Sequence, residues 1–275
     1  MEETKRVLFV NSEIFPYMPE TDISKVGRYL PQGVQESGKE IRSFMPRYGC
    51  INERRNQLHE VIRLSGMNIV VGKIDRPLVI KVSSISSARM QVYFIDNEDY
   101  FHRKSVYCDA EGKFFEDNDQ RALFFARGVL ETVKKLRWKP DIVHCQGWIS
   151  HFLPTYLKTV YNADPIFSDA KVVISLYKDS SDIAFREGMA ESLKGENISA
   201  DDAALLQQPT GINLAKLAIR YADGIIEGVP SSEMGEELAS AVKNAGIPVL
   251  SFVADDPTSG AFVQEYNKFY DQILK

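Results

Sequence analysis

The residues best suited to chemistry sit at the ends of short apolar runs. VLFVN (7–11) leads into SEIFPYMPETDISKVGRYLP (12–31), where a nucleotide-binding α/β enzyme sets a glycine-rich turn whose bare amides and helix N-terminus receive a phosphate. That stretch holds one glycine, Gly27, and presents Pro19, Glu20, Thr21 and Asp22 instead. A carboxylate about 4 Å from a phosphate oxygen repels it by roughly 4 kcal/mol at an effective dielectric near 20, and it also claims amides the ligand needs. Phosphate binding is disfavoured there, and Thr21 or Asp22 suits the role of helix cap. Glu13, just after the same run, is placed to orient a loop or to meet sugar hydroxyls. Arg47 and Tyr48 follow IRSFMP and suit either a cleft wall or a turn fixed by hydrogen bonds, and Asp96 closes MQVYFID. His144 ends an apolar strand and is, with Glu13, a weak catalytic candidate; its plainer reading is a satisfied core histidine. Gln146, Trp148 and Tyr177 complete the candidate cleft, Trp148 as a stacking platform for a sugar ring or as core.

Other chemistries are excluded by spacing. His59, His102, His144 and His151 form no H-E-x-x-H or comparable metal pattern, and no Gly-x-Ser-x-Gly elbow or P-loop occurs. Asp109, Glu111, Glu116, Asp117 and Asp119 lack the alternating oxygen ligands of an EF-hand and read as a solvated loop and helix N-terminus. No metal or cofactor is expected. Cys50, Cys108 and Cys145 are too few and too far apart for a disulfide framework, which fits a reducing cytoplasm, and Cys145 in its apolar strand reads as inert. The 33 basic and 38 acidic residues leave a net charge of −5 with no basic block, so nucleic acid is disfavoured. No apolar stretch approaches membrane-spanning length.

The elements that must position these residues alternate. Short β-branched runs separate amphipathic helical windows, the pattern of a mostly parallel sheet covered by helices. A helix carrying Ile23, Val26, Leu30 and Val34 follows the first strand and ends at Gly38. From 58 to 96 three apolar runs leave little room for helix and predict a small antiparallel extension. A long helix begins near Asp117 or Asn118 and ends before Pro140; DIVHC, a helix over 148–160 and KVVISLY follow. Residues 178–210 are acidic and weakly periodic, predicting a mobile loop with a broken helix. Helices over 212–222 and 231–245, strands at GIIEGV and IPVLSF, and a final helix carrying Phe262, Tyr266, Phe269 and Ile273 close the chain. The fold predicted is one doubly wound, Rossmann-like α/β domain over 1–275, with ligands expected beyond the carboxyl ends of the strands.

Seven segments carry a resemblance. SE-x-x-P (12–16), PRYG (46–49), FIDNEDYFHR (94–103), VYCDAEGKFFEDNDQRALFFARG (106–128), PDIVH-x-x-x-W (140–148), LPTYLKTVY (153–161) and YAD (221–223) together resemble the N-terminal domain of bacterial glycogen and starch synthases, collinearly over roughly residues 5–230. The resemblance implies half of a two-Rossmann-domain, ADP-glucose-dependent glycosyltransferase, with the acceptor α-glucan on this domain. It also implies that the second, donor-binding domain is absent from this sequence. The family's lysine-threonine-glycine-glycine-leucine signature falls on Pro19, Glu20, Thr21, Asp22 and Ile23, and an aspartate beyond it on Lys25. Its histidine-any-histidine-aspartate-tryptophan signature falls on His144, Cys145, Gln146, Gly147 and Trp148, and isoleucine-histidine-asparagine falls on Leu176, Tyr177 and Lys178.

The resemblance therefore implies a glycogen-synthase-like protein with a disabled donor loop. One expectation is a pseudoenzyme that binds α-glucan or regulates glycogen metabolism; the other is a working glucosyltransferase completed by a separate donor domain or subunit. A homo-oligomer or a true synthase as partner is a further expectation, since a missing domain leaves an apolar face.

Overall fold

The computed structural model describes residues 4–178, 183–193 and 198–275. Its sheet has ten strands: β1 (Arg6–Asn11), β2 (Glu40–Pro46), β3 (His59–Glu60), β4 (Met67–Val71), β5 (Ile74–Ile85), β6 (Met90–Asp96), β7 (Ile142–Gln146), β8 (Lys171–Leu176), β9 (Gly224–Glu227) and β10 (Val249–Leu250). Their order is β10-β9-β8-β7-β1-β2-β6-β5-β3, with β4 paired to β5. From β10 to β6 all neighbours are parallel; β5 runs antiparallel to β6, and β3 and β4 antiparallel to β5. The parallel core and the antiparallel extension are those read from the sequence. Strand order reverses between β1 and β7, so their carboxyl ends, Asn11 and Gln146, stand side by side in register.

The helices are α1 (Asp22–Glu36), α2 (Glu98–Phe101), α3 (Asn118–Leu136), α4 (Leu153–Thr159), α5 (Ala200–Leu205), α6 (Gly211–Arg220), α7 (Glu236–Lys243) and α8 (Gly260–Ile273). Helices cover both faces of the central strands, which is why Val7, Leu8, Phe9 and Val10 are all buried although they alternate in direction. Two predicted helices are shorter than their windows. A 3-10 turn (Trp148–Ser150) precedes α4, and another (Ser231–Glu233) precedes α7 across Gly235 at φ +84°. Of the segment 178–210, residues 179–182 and 194–197 lie outside the described residues; the described part holds a 3-10 turn (Met189–Leu193) and α5, with Ala184 bridged to Thr210.

The aromatic stripe of α8 is core, as the general rule for helical stripes expects. Phe262, Tyr266, Phe269, Tyr270 and Ile273 are buried, and α8 lies beside α1 so closely that a Cβ on Gly33 would sit 2.4 Å from Val263. The stripe is bolted to the sheet by one polar bridge. His144 Nδ1 lies 2.7 Å from Tyr270 Oη and its Nε2 2.7 Å from Ser175 Oγ, so both ring nitrogens are satisfied inside the core. Removing the Tyr270 hydroxyl leaves a buried imidazole nitrogen unpaired, and Tyr270→Phe is expected to lower the unfolding free energy by about 1–3 kcal/mol in urea titration. An unchanged midpoint would show that the bridge contributes nothing.

Burial also lowers the pKa of His144 from 6.5 to about 3 and that of His151 to about 4. Both are neutral in the folded chain while the unfolded chain protonates them below pH 6.5, so the unfolded state binds more protons and stability falls with falling pH. Each histidine removes up to about 1.4 kcal/mol per pH unit in that window. Denaturation midpoints are expected to drop from pH 6.5 to about pH 5, and a flat profile across that interval would contradict the assignment.

Candidate functional site

The candidate site lies at the switch point, where the first turn of α1 meets the loop after β1. Thr21, rather than Asp22, is the cap: its extended backbone lets Oγ1 accept from Ser24 N at 3.0 Å, while Ser24 Oγ accepts from Thr21 N at 2.8 Å. Thr21 Oγ1 in turn donates to Glu13 Oε2 at 2.9 Å. Burial pushes the Glu13 carboxyl up, and the Thr21 hydroxyl pulls it partway back. Gln146 Nε2 donates to Ile23 O at 2.6 Å, and Phe15 N donates to Ser24 O at 3.0 Å, so two further bonds pin the turn to the sheet. The approach is tight: a Cβ on Gly27 would sit 2.3 Å from Glu13 O. Glu20 and Asp22 lie exposed at the mouth, where Lys25 Nζ is 3.9 Å from Glu20 and 3.7 Å from Asp256. The end of α1 is therefore closed by its own side chains and rimmed by carboxylates.

Apart from Tyr177, which lines a cavity together with Asp22 and Lys25, the structure does not gather the other candidates into this mouth. Arg47 pairs with Glu53, Lys81 Nζ lies 2.5 Å from Glu53 and 3.0 Å from Asp96, and His102 Nε2 lies 2.9 Å from the other Asp96 oxygen. Burial works against the charge of Glu53, but Lys81 and Arg47 outweigh it and hold the carboxyl below its usual range. This chain of ion pairs and hydrogen bonds joins β2, β5 and β6, so Arg47 and Asp96 serve the strand ends. Tyr48 is fully buried, with its hydroxyl 2.9 Å from that of Tyr107. Trp148 is 1% exposed, enclosed by Tyr107, Phe114 and Phe185 at ring-centroid distances of 5.0, 5.4 and 5.5 Å, which leaves no open face for a sugar ring. His144 belongs to the interface with α8. Tyr177 is buried at the end of β8 with its ring against Gly228.

Among the acidic residues near α3, Asp119 departs from the solvated reading: it is fully buried and accepts from Arg186 Nε at 3.0 and 3.1 Å. Asp117 pairs with Arg103, and Asp109 Oδ1 accepts from the amides of Glu111 and Lys113. Among the described residues no group of three or more His, Cys, Asp or Glu side chains could hold a metal ion. Cys145 is buried, and burial pushes its thiol far up, in keeping with an inert side chain.

Two residues escaped sequence reasoning. Asn11 and Ser12 close β1 at the switch point, both buried, and among the described residues neither Asn11 side-chain atom nor Ser12 Oγ has a hydrogen-bond partner. Gln146 Oε1, beside them, is likewise unpartnered. The signal was present in the order VLFV-N-S: two polar residues ending a strand that is otherwise apolar on both faces.

With this geometry in place, likeness to known proteins becomes informative. The profile of the starch synthase catalytic domain family matches residues 6–246, and the chain belongs to that family. Glycogen synthase of Chlorobium limicola is 34% identical over 224 residues, covering 79% of this chain and 44% of the relative. That of Chlorobium luteolum is 34% identical over 280 aligned positions, covering 98% and 55%. The chain thus spans about half the length of these relatives. In fold it resembles the catalytic domain of starch synthase IV from Arabidopsis thaliana, solved bound to ADP and acarbose, with a TM-score of 0.75 at 18% identity over 93% of this chain and 52% of that one. Among the described residues no helix is long and apolar enough to cross a membrane.

The cap is open to direct test. Thr21→Ala removes the acceptor for Ser24 N and the donor to Glu13, and is expected to cost about 1 kcal/mol, within a range of roughly 0.5–2, in thermal or urea unfolding. Loss of less than a few tenths would mean that water replaces the cap without penalty.

Proposed function

We propose that this member of the starch synthase catalytic domain family acts in α-glucan metabolism as a glucan-binding or regulatory protein without glucosyl transfer of its own. The single observation that supports this reading is the closed first turn of α1. Glucosyl transfer from a sugar nucleotide needs positioned positive groups and free amides at the departing diphosphate. At the positions where the family places a lysine and two glycines, this chain carries Pro19, Thr21 and Asp22, with Glu20 between them, the Ser24 amide bonded to Thr21 and Glu13 bonded behind it. Adding a diphosphate there means unmaking the cap and facing two exposed carboxylates. Retained framework segments and an α/β scaffold of the synthase type are the grounds for glucan as ligand.

The test is a paired assay on the purified chain. Electrophoresis through gels containing glycogen is expected to retard it, while incubation with ADP-glucose and glycogen is expected to incorporate no glucose above background. Incorporation by this chain alone would overturn the reading. Incorporation only after adding a separate donor domain would replace it with a split transferase.

A further inference from the structure

A bound sugar needs a seat other than Trp148, Tyr48 and Asp96, which are consumed by packing and ion pairs. The structure offers one cavity at the carboxyl edge of the sheet, the region where open α/β sheets hold their ligands. It measures about 260 Å³ and is formed where Tyr177 after β8, Gly228 after β9 and residues 252–257 after β10 meet the first turns of α1 and α8. The match to the family profile ends at residue 246, so more than half of the lining residues lie beyond it.

Its lining is aromatic with a few polar points. Tyr177, Phe262 and Tyr266 are each 3% exposed and form a fixed floor, while Phe252 is 40% exposed and presents a ring at the rim. Asp22 and Asp255 line the cavity, and neither makes a side-chain hydrogen bond or ion pair among the described residues. Asp256 is taken up by Thr258 at 2.6 Å and by Lys25 at 3.7 Å. Aromatic surface with a few convergent polar groups is the make-up of a small-molecule site.

We propose that this cavity is a subsite for one neutral hexose ring at the end of an α-glucan chain, which rests on the glucan-binding reading of the protein. The volume, just below the roughly 300 Å³ at which drug-sized pockets begin, suits one ring rather than several. Ring hydroxyls donate to Asp22 and Asp255 in charge-assisted bonds, the strong class of neutral-to-ion hydrogen bond. The apolar face of the ring lies on Phe252. Three carboxylates against one ammonium repel a phosphate or nucleotide. A small cation would meet Lys25 already standing beside Asp256, which favours an uncharged ligand.

Maltoheptaose titrated into the full chain, with glycogen gels in parallel, tests this. Phe252→Ala and Asp255→Asn, both at exposed positions, are expected to weaken binding at least fivefold with unchanged thermal melts, while Phe252→Tyr keeps the ring and the affinity. If wild type and all variants bind equally, the subsite is overturned and the glucan reading stands. If the wild type binds neither glycogen nor maltoheptaose, the glucan reading fails and the subsite with it. If spermidine binds with sensitivity to Asp255→Asn and maltoheptaose does not bind, the cavity is a cation site and the proposal is wrong.

Discussion

The first turn of α1 is the constraint on which the rest depends. A helix N-terminus following the first strand of a parallel sheet carries four amides without helical partners and the positive end of the helix dipole. A ligand, water or the chain itself satisfies them. Here the chain meets two of them: in the Thr21–Ser24 capping box each residue's amide donates to the other's hydroxyl, Glu13 anchors the cap hydroxyl, and Gln146 ties the Ile23 carbonyl from the neighbouring strand. Gly27 lets the helix lie directly against the loop after β1, where these bonds form; moving the turn outward to admit an anion would stretch them.

A second polar bridge fixes the opposite relation, that of the final helix to the sheet. His144, held between Tyr270 and Ser175, sits where a synthase signature begins, yet its geometry is that of a core residue. With α8 anchored there and packed on α1, residues 252–257 are carried across the carboxyl ends of β8 to β10. That placement joins the two ends of the matched region into one edge and creates the cavity beside α1. The polar chain from Arg47 through Glu53, Lys81 and Asp96 to the His102 ring does similar work at the other end, closing the tips of β2, β5 and β6.

Much of this was legible in the sequence because it stems from periodicity. Continuous apolar runs such as VLFV and KVVISL mark strands covered on both faces, and the three crowded runs between 58 and 96 mark antiparallel pairing, since no helix fits between them. A cap at Thr21 or Asp22 was readable from local chemistry, and the bonds to Ser24 and Glu13 decide for Thr21. What periodicity does not carry is which buried partner a polar residue finds. Asp119 looked solvated among acidic neighbours, and only the distant Arg186 explains its burial. Trp148 read as core more readily than as a stacking platform, and Tyr48 as a cleft wall or a turn residue; the rings that enclose them, Tyr107, Phe114 and Phe185, come from loops whose positions no local pattern encodes. Helix windows at 148–160 and 231–245 broke for a similar reason, since the 3-10 turns at their starts answer to tertiary packing.

The most direct measurement is a titration of the chain with ADP, followed by the backbone amide resonances of Thr21 to Gly27. A first turn satisfied by its own side chains predicts that these resonances stay in place while ADP rises to millimolar concentration. Saturable movement of those amides, centred on Ser24, would show a diphosphate displacing the cap and would contradict the account.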